Sequence, residues 1–146
     1  MSINSRSQTT IVGLDELIKA FMDLGEDALP FLYDAANKAG EIVLEKARSK
    51  VPVRTGNLKG KLKLGKAKKS SKYPYRVFSK VTTEKGAAYM VPLELGHRLV
   101  YFGNPTDVTV EPRPFLRPAA DESVDAVISE IAQGMNNALE QIGGKK

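Results

Sequence analysis

The side chains able to do chemistry are few, and their spacing suits none of the common reactions. His97, in "LELGHRLVYF", is the only histidine. A lone imidazole without an H-E-x-x-H pattern cannot assemble a metal site. Glu94 lies three residues earlier, close enough for a local ion pair and for the single acid–base couple a small hydrolase would use. Ser70, Ser71 and Ser79 belong to no nucleophile–base–orienter set. "GNLKGK" and "GKAKKS" combine glycine with lysine but lack the spacing that cradles phosphates between strand and helix. The pairs Glu26–Asp27 and Asp121–Glu122 read as solvated helix faces or N-terminal caps rather than as acid–base machinery. Cysteine is absent, which removes thiolate nucleophiles, disulfides and Cys-ligated metals. The expectation is a protein without catalysis, cofactor or metal.

Charge is the stronger signal. Between Val51 and Thr83 stand ten Lys or Arg residues and no Asp or Glu, whereas the flanking segments are mildly acidic, with six basic and eight acidic groups before and six and nine after. Such segregation favours an acidic partner, either nucleic acid or an acidic protein face. Lys59, Lys61, Lys63, Lys66, Lys68, Lys69 and Lys72 are the candidate contacts. Three readings stay open: a solvated hairpin whose charges guard a sheet edge, nonspecific attraction to a phosphate backbone, and a protein-binding face. Sequence-specific duplex reading is disfavoured, because these lysines fall on strands and a loop rather than on a groove-reading helix.

The elements that must position these groups follow from periodicity. At 146 residues the chain fits one domain, residues 1–146. "GLDELIKAFMDLGED" has helical spacing and is expected to stop at Gly25. A longer helix follows over 27–50, with Pro30 in its first turn and a stripe of Leu29, Leu32, Ala36, Ala39, Val43 and Ala47. "GNLKGKLKLGK" alternates and predicts a strand, with Gly60 at an inward position. Residues 65–73 predict a flexible lysine-rich hairpin loop. "YRVFSKVTT" predicts a second strand with Tyr75, Val77, Ser79 and Val81 on one face. "AAYMVPLELGHR" is ambiguous, Pro92 allowing an edge strand or a helical turn. "DVTVEP" predicts a last strand, and 121–142 a closing helix with Val124, Val127, Ile128, Ile131, Met135, Leu139 and Ile142 on its stripe. Gly134 is expected to weaken that helix by about 1 kcal/mol relative to Ala. The class is α+β: an antiparallel sheet of three to four strands packed against a long N-terminal helix and a C-terminal helix. Residues 1–10 and 143–146 are expected to be flexible. The opening "MSINSRSQTT" lacks the apolar segment of a secretory signal, no stretch reaches the roughly 18 apolar residues of a membrane span, and a cytoplasmic site of assembly is expected.

Three separated stretches carry a resemblance. "ARSKVPVRTGNLKGKLK" takes a helix end through Pro52 into Thr55, Gly56, Asn57 and Leu58; "AAYMVPLELGHR" ends in Glu94-x-Gly96; "EPRPFLRPAADE" holds Pro114, Phe115, Leu116, Arg117 and Pro118 ahead of the last helix. In this order and spacing, over roughly residues 36 to 135, they resemble the small neck or tail-completion proteins of long-tailed bacteriophages. The chain departs from that pattern at Arg54, where Asp is usual, and at His97, where Thr is usual.

The resemblance implies a structural virion protein of the head–tail joining type (neck, tail completion or tail terminator). It implies a homo-oligomeric ring, with a hexamer preferred and a dodecamer the alternative on the portal side. Its partners would be the neighbouring head–tail connector and tail tube proteins, with nonspecific contact to DNA in the channel and no membrane. The rival reading is a freestanding basic nucleic-acid-binding module. Physically, Thr55 and Asn57 can bond their own backbone while Gly56 takes a positive φ. Glu94 and Gly96 are expected to pin a loop between strands. Pro112, Pro114 and Pro118 stiffen the path that sets Phe115 and Leu116 in the core or in a neighbouring subunit. A stiff elbow limits the angular error that accumulates around a ring.

Overall fold

The computed structural model describes residues 16, 19–20, 23–53, 56–73 and 76–144. Most of the helix expected over 13–24 therefore lies outside the described residues, although Glu16, Lys19, Ala20 and Asp23 are helical. So do Arg54, Thr55, Tyr75, the 1–10 segment and residues 145–146. A 3-10 turn, Gly25–Ala28, leads directly into helix α1, Leu29–Lys50. Gly25 has φ 63°, the left-handed conformation that closes a helix. Then come a short helix α2 (Asn57–Lys61), strands β1 (Leu62–Lys69) and β2 (Val77–Thr83), a short helix α3 (Met90–Leu95), strands β3 (His97–Tyr101) and β4 (Asn104–Val110), and the long helix α4 (Leu116–Gly143).

The architecture is α+β, and α1 is its centre. Its small residues let two layers approach. On one side Ala35 meets α4 so closely that a Cβ on Gly134 would lie 2.8 Å from the Ala35 Cβ. On the other, a Cβ on Gly40 would lie 2.6 Å from both Leu64 Cδ1 and Ser79 Oγ of the first hairpin. Ser79 faces inward and donates its hydroxyl proton to the Ala36 carbonyl at 2.8 Å. Gly134 is thus also a contact position in the α1–α4 packing, beyond its intrinsic cost to the helix. One cluster gathers Leu44, Ala47, Val51, Leu58, Leu62, Ala87, Phe115 and Ala119; a second joins Ala28 to Met135 and Ala138.

Several boundaries differ from the sequence expectation, each for a local reason. Instead of one sheet of three to four strands there are two antiparallel two-stranded sheets, β1–β2 and β3–β4. The segment between them turns helical because Pro92, third in α3, sits in a first turn where its missing N–H costs nothing. The stretch from Asn57 to Lys61 is helical rather than extended. Leu58 and Leu62, both buried, are four apart, a spacing one helical turn satisfies as well as a strand does. Gly60, open to solvent, carries no side chain to discriminate. β1 runs on to Lys69, so the loop is shorter than 65–73. A bulge between Gly65 and Lys68 absorbs the break in alternation, and α1 satisfies its amide: Ala67 N–H donates to Asn37 Oδ1 at 2.8 Å. β3 was not anticipated. α4 begins five residues before 121, and Val124 faces solvent while Ser123 takes the buried position, bonded to the Ala119 carbonyl at 2.6 Å. Among the described residues no helix is long and apolar enough to cross a membrane.

Candidate functional site

The three sequence motifs converge on the start of α4. A helix begins with backbone N–H groups that have no partner inside the helix, and Phe115, at the N-cap position, has no side-chain oxygen to offer them. Glu94, from the end of α3, fills that role from a distance. Its Oε2 accepts the N–H groups of Phe115 (2.8 Å) and Leu116 (3.0 Å), and its Oε1 accepts that of Arg117 (2.9 Å). Burial alone would push this carboxyl's pKa upward. The three N–H donors and the nearby Arg117 guanidinium outweigh it and hold the group below the ordinary glutamate value.

Gly96 explains the second half of the Glu-x-Gly pattern. It has φ 73°, and a Cβ there would lie 2.8 Å from the Val110 carbonyl oxygen and 3.0 Å from the Pro112 nitrogen. The carboxylate that holds α4 and the glycine that admits the returning chain therefore serve one junction. Arg113 N–H adds a bond to the Leu93 carbonyl at 2.8 Å. The first motif enters from the other side. Gly56, φ 71°, opens α2, Leu58 packs in the same cluster as Phe115, and Asn57 Nδ2 donates to Tyr89 Oη at 3.1 Å. A further tie joins the end of α1 to α4, Lys50 Nζ to Glu122 Oε1 at 2.6 Å. Where the motifs meet, a cleft of about 650 Å³ is left between Pro52, Leu58, Tyr89, Leu93 and Val110. Of the two places expected for Phe115, the core is correct: it is fully buried.

The lysines are placed differently. Lys59 and Lys61 lie on α2, apart from the others. Lys63, Lys66, Lys68 and Lys69 are exposed on β1, and Lys72 on the loop beyond it. The register sets Lys63, Lys68, Phe78 and Lys80 on the outer face of the first hairpin, and the bulge adds Lys66. Phe78 is partly exposed among them. Lys72 Nζ and Arg76 Cζ stand 5.4 and 5.7 Å from the Tyr73 ring centroid. Basic side chains thus alternate with two accessible aromatic rings.

His97 lies exposed on β3, opposite Val110. Glu94 gives both carboxylate oxygens to α4, so the couple considered from the sequence does not form. Among the described residues no group of three or more His, Cys, Asp or Glu is placed to hold a metal ion.

A model of one known family matches residues 15–96, described as "Bacteriophage HK97-gp10, putative tail-component". The chain belongs to that family. The match covers the first two motifs and ends at Gly96; the Pro114–Pro118 stretch lies beyond it and is tied in by Glu94. Membership makes the chain a phage tail-related structural component. Searches of curated proteins and of solved structures return no match.

The surface that sequence reading missed is the β3–β4 hairpin. Every residue of β3 is exposed, including Leu99, Val100 and Tyr101, and Phe102 tops the turn at 88% exposure. The available signal was Phe102-Gly103: both residues take positive φ, 48° and 81°, as a two-residue type I′ hairpin turn requires. The usual marker is Asn-Gly or Asp-Gly, and phenylalanine masked it.

Proposed function

We propose that this tail component acts at the phage head–tail junction, in a neck, tail-completion or tail-terminator role, as one domain repeated in a homo-oligomeric ring. Six copies fit best with tail symmetry, and twelve are the alternative next to the portal. The neighbours are the head–tail connector and the tail tube, and the location is the neck or tail end of the virion. The observation that carries this reading, beside family membership, is the cluster of Lys63, Lys66, Lys68 and Lys80 on the outer face of the first hairpin. A ring built from such subunits can turn that face to the DNA channel or to an acidic adjoining ring. The junction of Gly56, Asn57, Leu58, Glu94, Gly96 and Pro114–Pro118 then fixes the geometry from which the surfaces project. Mass spectrometry of purified virions, with negative-stain microscopy of the isolated protein, tests this: the chain is expected in mature particles and as closed rings. Its absence from mature particles overturns the proposal.

A second reading, a freestanding nucleic-acid-binding module, is favoured by Phe78 among Lys63, Lys66, Lys68 and Lys80 and by Tyr73 under Lys72 and Arg76. Cationic strands with accessible rings bind single strands by phosphate neutralisation and stacking. Salt-dependent DNA binding by the monomer, lost when Lys66, Lys68, Lys69 and Lys72 are changed together to Glu, would support it. Loss of head–tail joining with DNA binding intact would support the ring instead.

A further inference from the structure

We infer that the β3–β4 hairpin is a docking arm, and that its Tyr101–Phe102 tip seats in the Leu58–Tyr89–Leu93 cleft of a second copy of the chain. The inference rests on the self-association in the proposed function, but it does not require that the copies close into a ring.

Four observations point to it. A two-stranded hairpin standing alone is marginal in water, yet this one is well formed. It has an antiparallel ladder, and the Thr106 hydroxyl donates to the Leu99 carbonyl at 2.8 Å where the register slips. Next, side chains alternate across a strand, so Leu99 and Tyr101 point to one face of the hairpin and Val100 to the other. Both faces are open, and together with Phe102 and Val108 these residues are 41% to 88% exposed. Docking on one flat face would leave the other in water, so the arm must be enclosed by its partner.

Third, these five side chains expose on the order of 500 Å² of apolar surface, at the top of the range for the largest patch on an ordinary monomer. That is more than half of the roughly 800 Å² that each partner contributes to a standard stable interface. Finally, Phe102 adopts φ 48°, where a bulky residue is disfavoured by about 1–2 kcal/mol. The ring meets only its neighbour Tyr101 edge-on, centroids 4.6 Å apart, and among the exposed large hydrophobic side chains it is the most open to solvent.

The occupant follows from geometry. The cleft is bordered by Val110, at the base of the same hairpin. Four residue steps of β3 separate His97, the partner of Val110, from Tyr101 at the tip, so the ladder carries the tip about 13 Å beyond the cleft border. The arm cannot fold back to fill it, but a second copy can. Each subunit then offers one arm and one cleft in a head-to-tail contact, the arrangement that generates rings or filaments rather than isolated two-fold dimers.

The absence of cysteine makes the test clean. The single variants Phe102→Cys, Arg113→Cys and Pro52→Cys, the last two on the cleft rim, are purified and mixed pairwise under mild oxidation. Disulfide-linked dimers are expected when the tip variant meets either rim variant, and not from the tip variant alone. Efficient linking of Phe102→Cys with itself would indicate symmetric arm–arm pairing and overturn the proposal. So would the absence of mixed dimers at both rim positions. Native mass spectrometry separates this from the ring reading: links without closed rings retain the arm and refute the ring, and rings without links do the reverse. Phe102→Ser, with its circular dichroism unchanged, is expected to weaken self-association on the order of tenfold or more; unaltered association would likewise overturn the arm.

Discussion

The junction at the start of α4 and the β3–β4 hairpin that springs from it are built on opposite terms. In the junction every exceptional feature is answered within the chain. The free N–H groups of α4 meet Glu94, the left-handed Gly96 admits a passing backbone, and Phe115 is enclosed by eight-residue core packing. In the hairpin the exceptional features are left open: apolar side chains on both faces, and a strained phenylalanine at the turn. The difference teaches that one connection can be rigid in order to present another. The proline-rich elbow holds Phe115 inside its own subunit, and the proposed docking surface is the aromatic tip beyond the other end of the junction.

Substitutions on the two sides should therefore behave differently. The largest effect is expected at Phe115→Ala, which empties a fully buried site and should cost about 3–5 kcal/mol in chemical denaturation. A loss below 1 kcal/mol would mean the core has been misread. Glu94→Ala removes one acceptor from three N–H groups and should cost about 2 kcal/mol, with Glu94→Gln losing less.

The same carboxylate sets a pH dependence. Its folded pKa is lowered, so its contribution is complete above the ordinary glutamate value of 4.5 and disappears as pH falls through the folded value. Wild type should lose its advantage over Glu94→Gln across that acidic window, and a constant difference down to the lowest pH would contradict the cap. Gly134→Ala sharpens the comparison further. Helix propensity alone predicts a gain of about 1 kcal/mol, but the Ala35 Cβ at 2.8 Å should turn it into a net loss of about 1 kcal/mol. The smallest effect belongs to the arm: Phe102→Gly should leave thermal stability unchanged or raise it by up to about 1 kcal/mol, because it relieves the left-handed strain.

Much of this was legible in the sequence. Ala39 and Ala47 of the α1 stripe, the inward face of β2 and the closing helix follow from periodicity, although Ala35 and Leu44 take the buried places expected of Ala36 and Val43, and the ordered motifs pointed to the family. What the sequence could not show were the non-local facts. Nothing near Phe115 announces that its helix is capped from Glu94, twenty-one residues earlier. Leu58 and Leu62 satisfy both a strand and a helical turn, and only burial against Phe115 decides between them. Of the second hairpin only the last strand was foreseen, because its turn carries phenylalanine where asparagine is usual. The lysines were seen early, but the bulge that orients Lys66 and Lys68 depends on Asn37 of α1.

The most direct test of the contrast is native mass spectrometry of wild type beside Phe102→Ser at matched concentration, with thermal unfolding of both. An assembled wild type and a variant reduced to monomers that still unfolds in one cooperative transition is the expected result. A variant that assembles as fully as wild type would contradict the account.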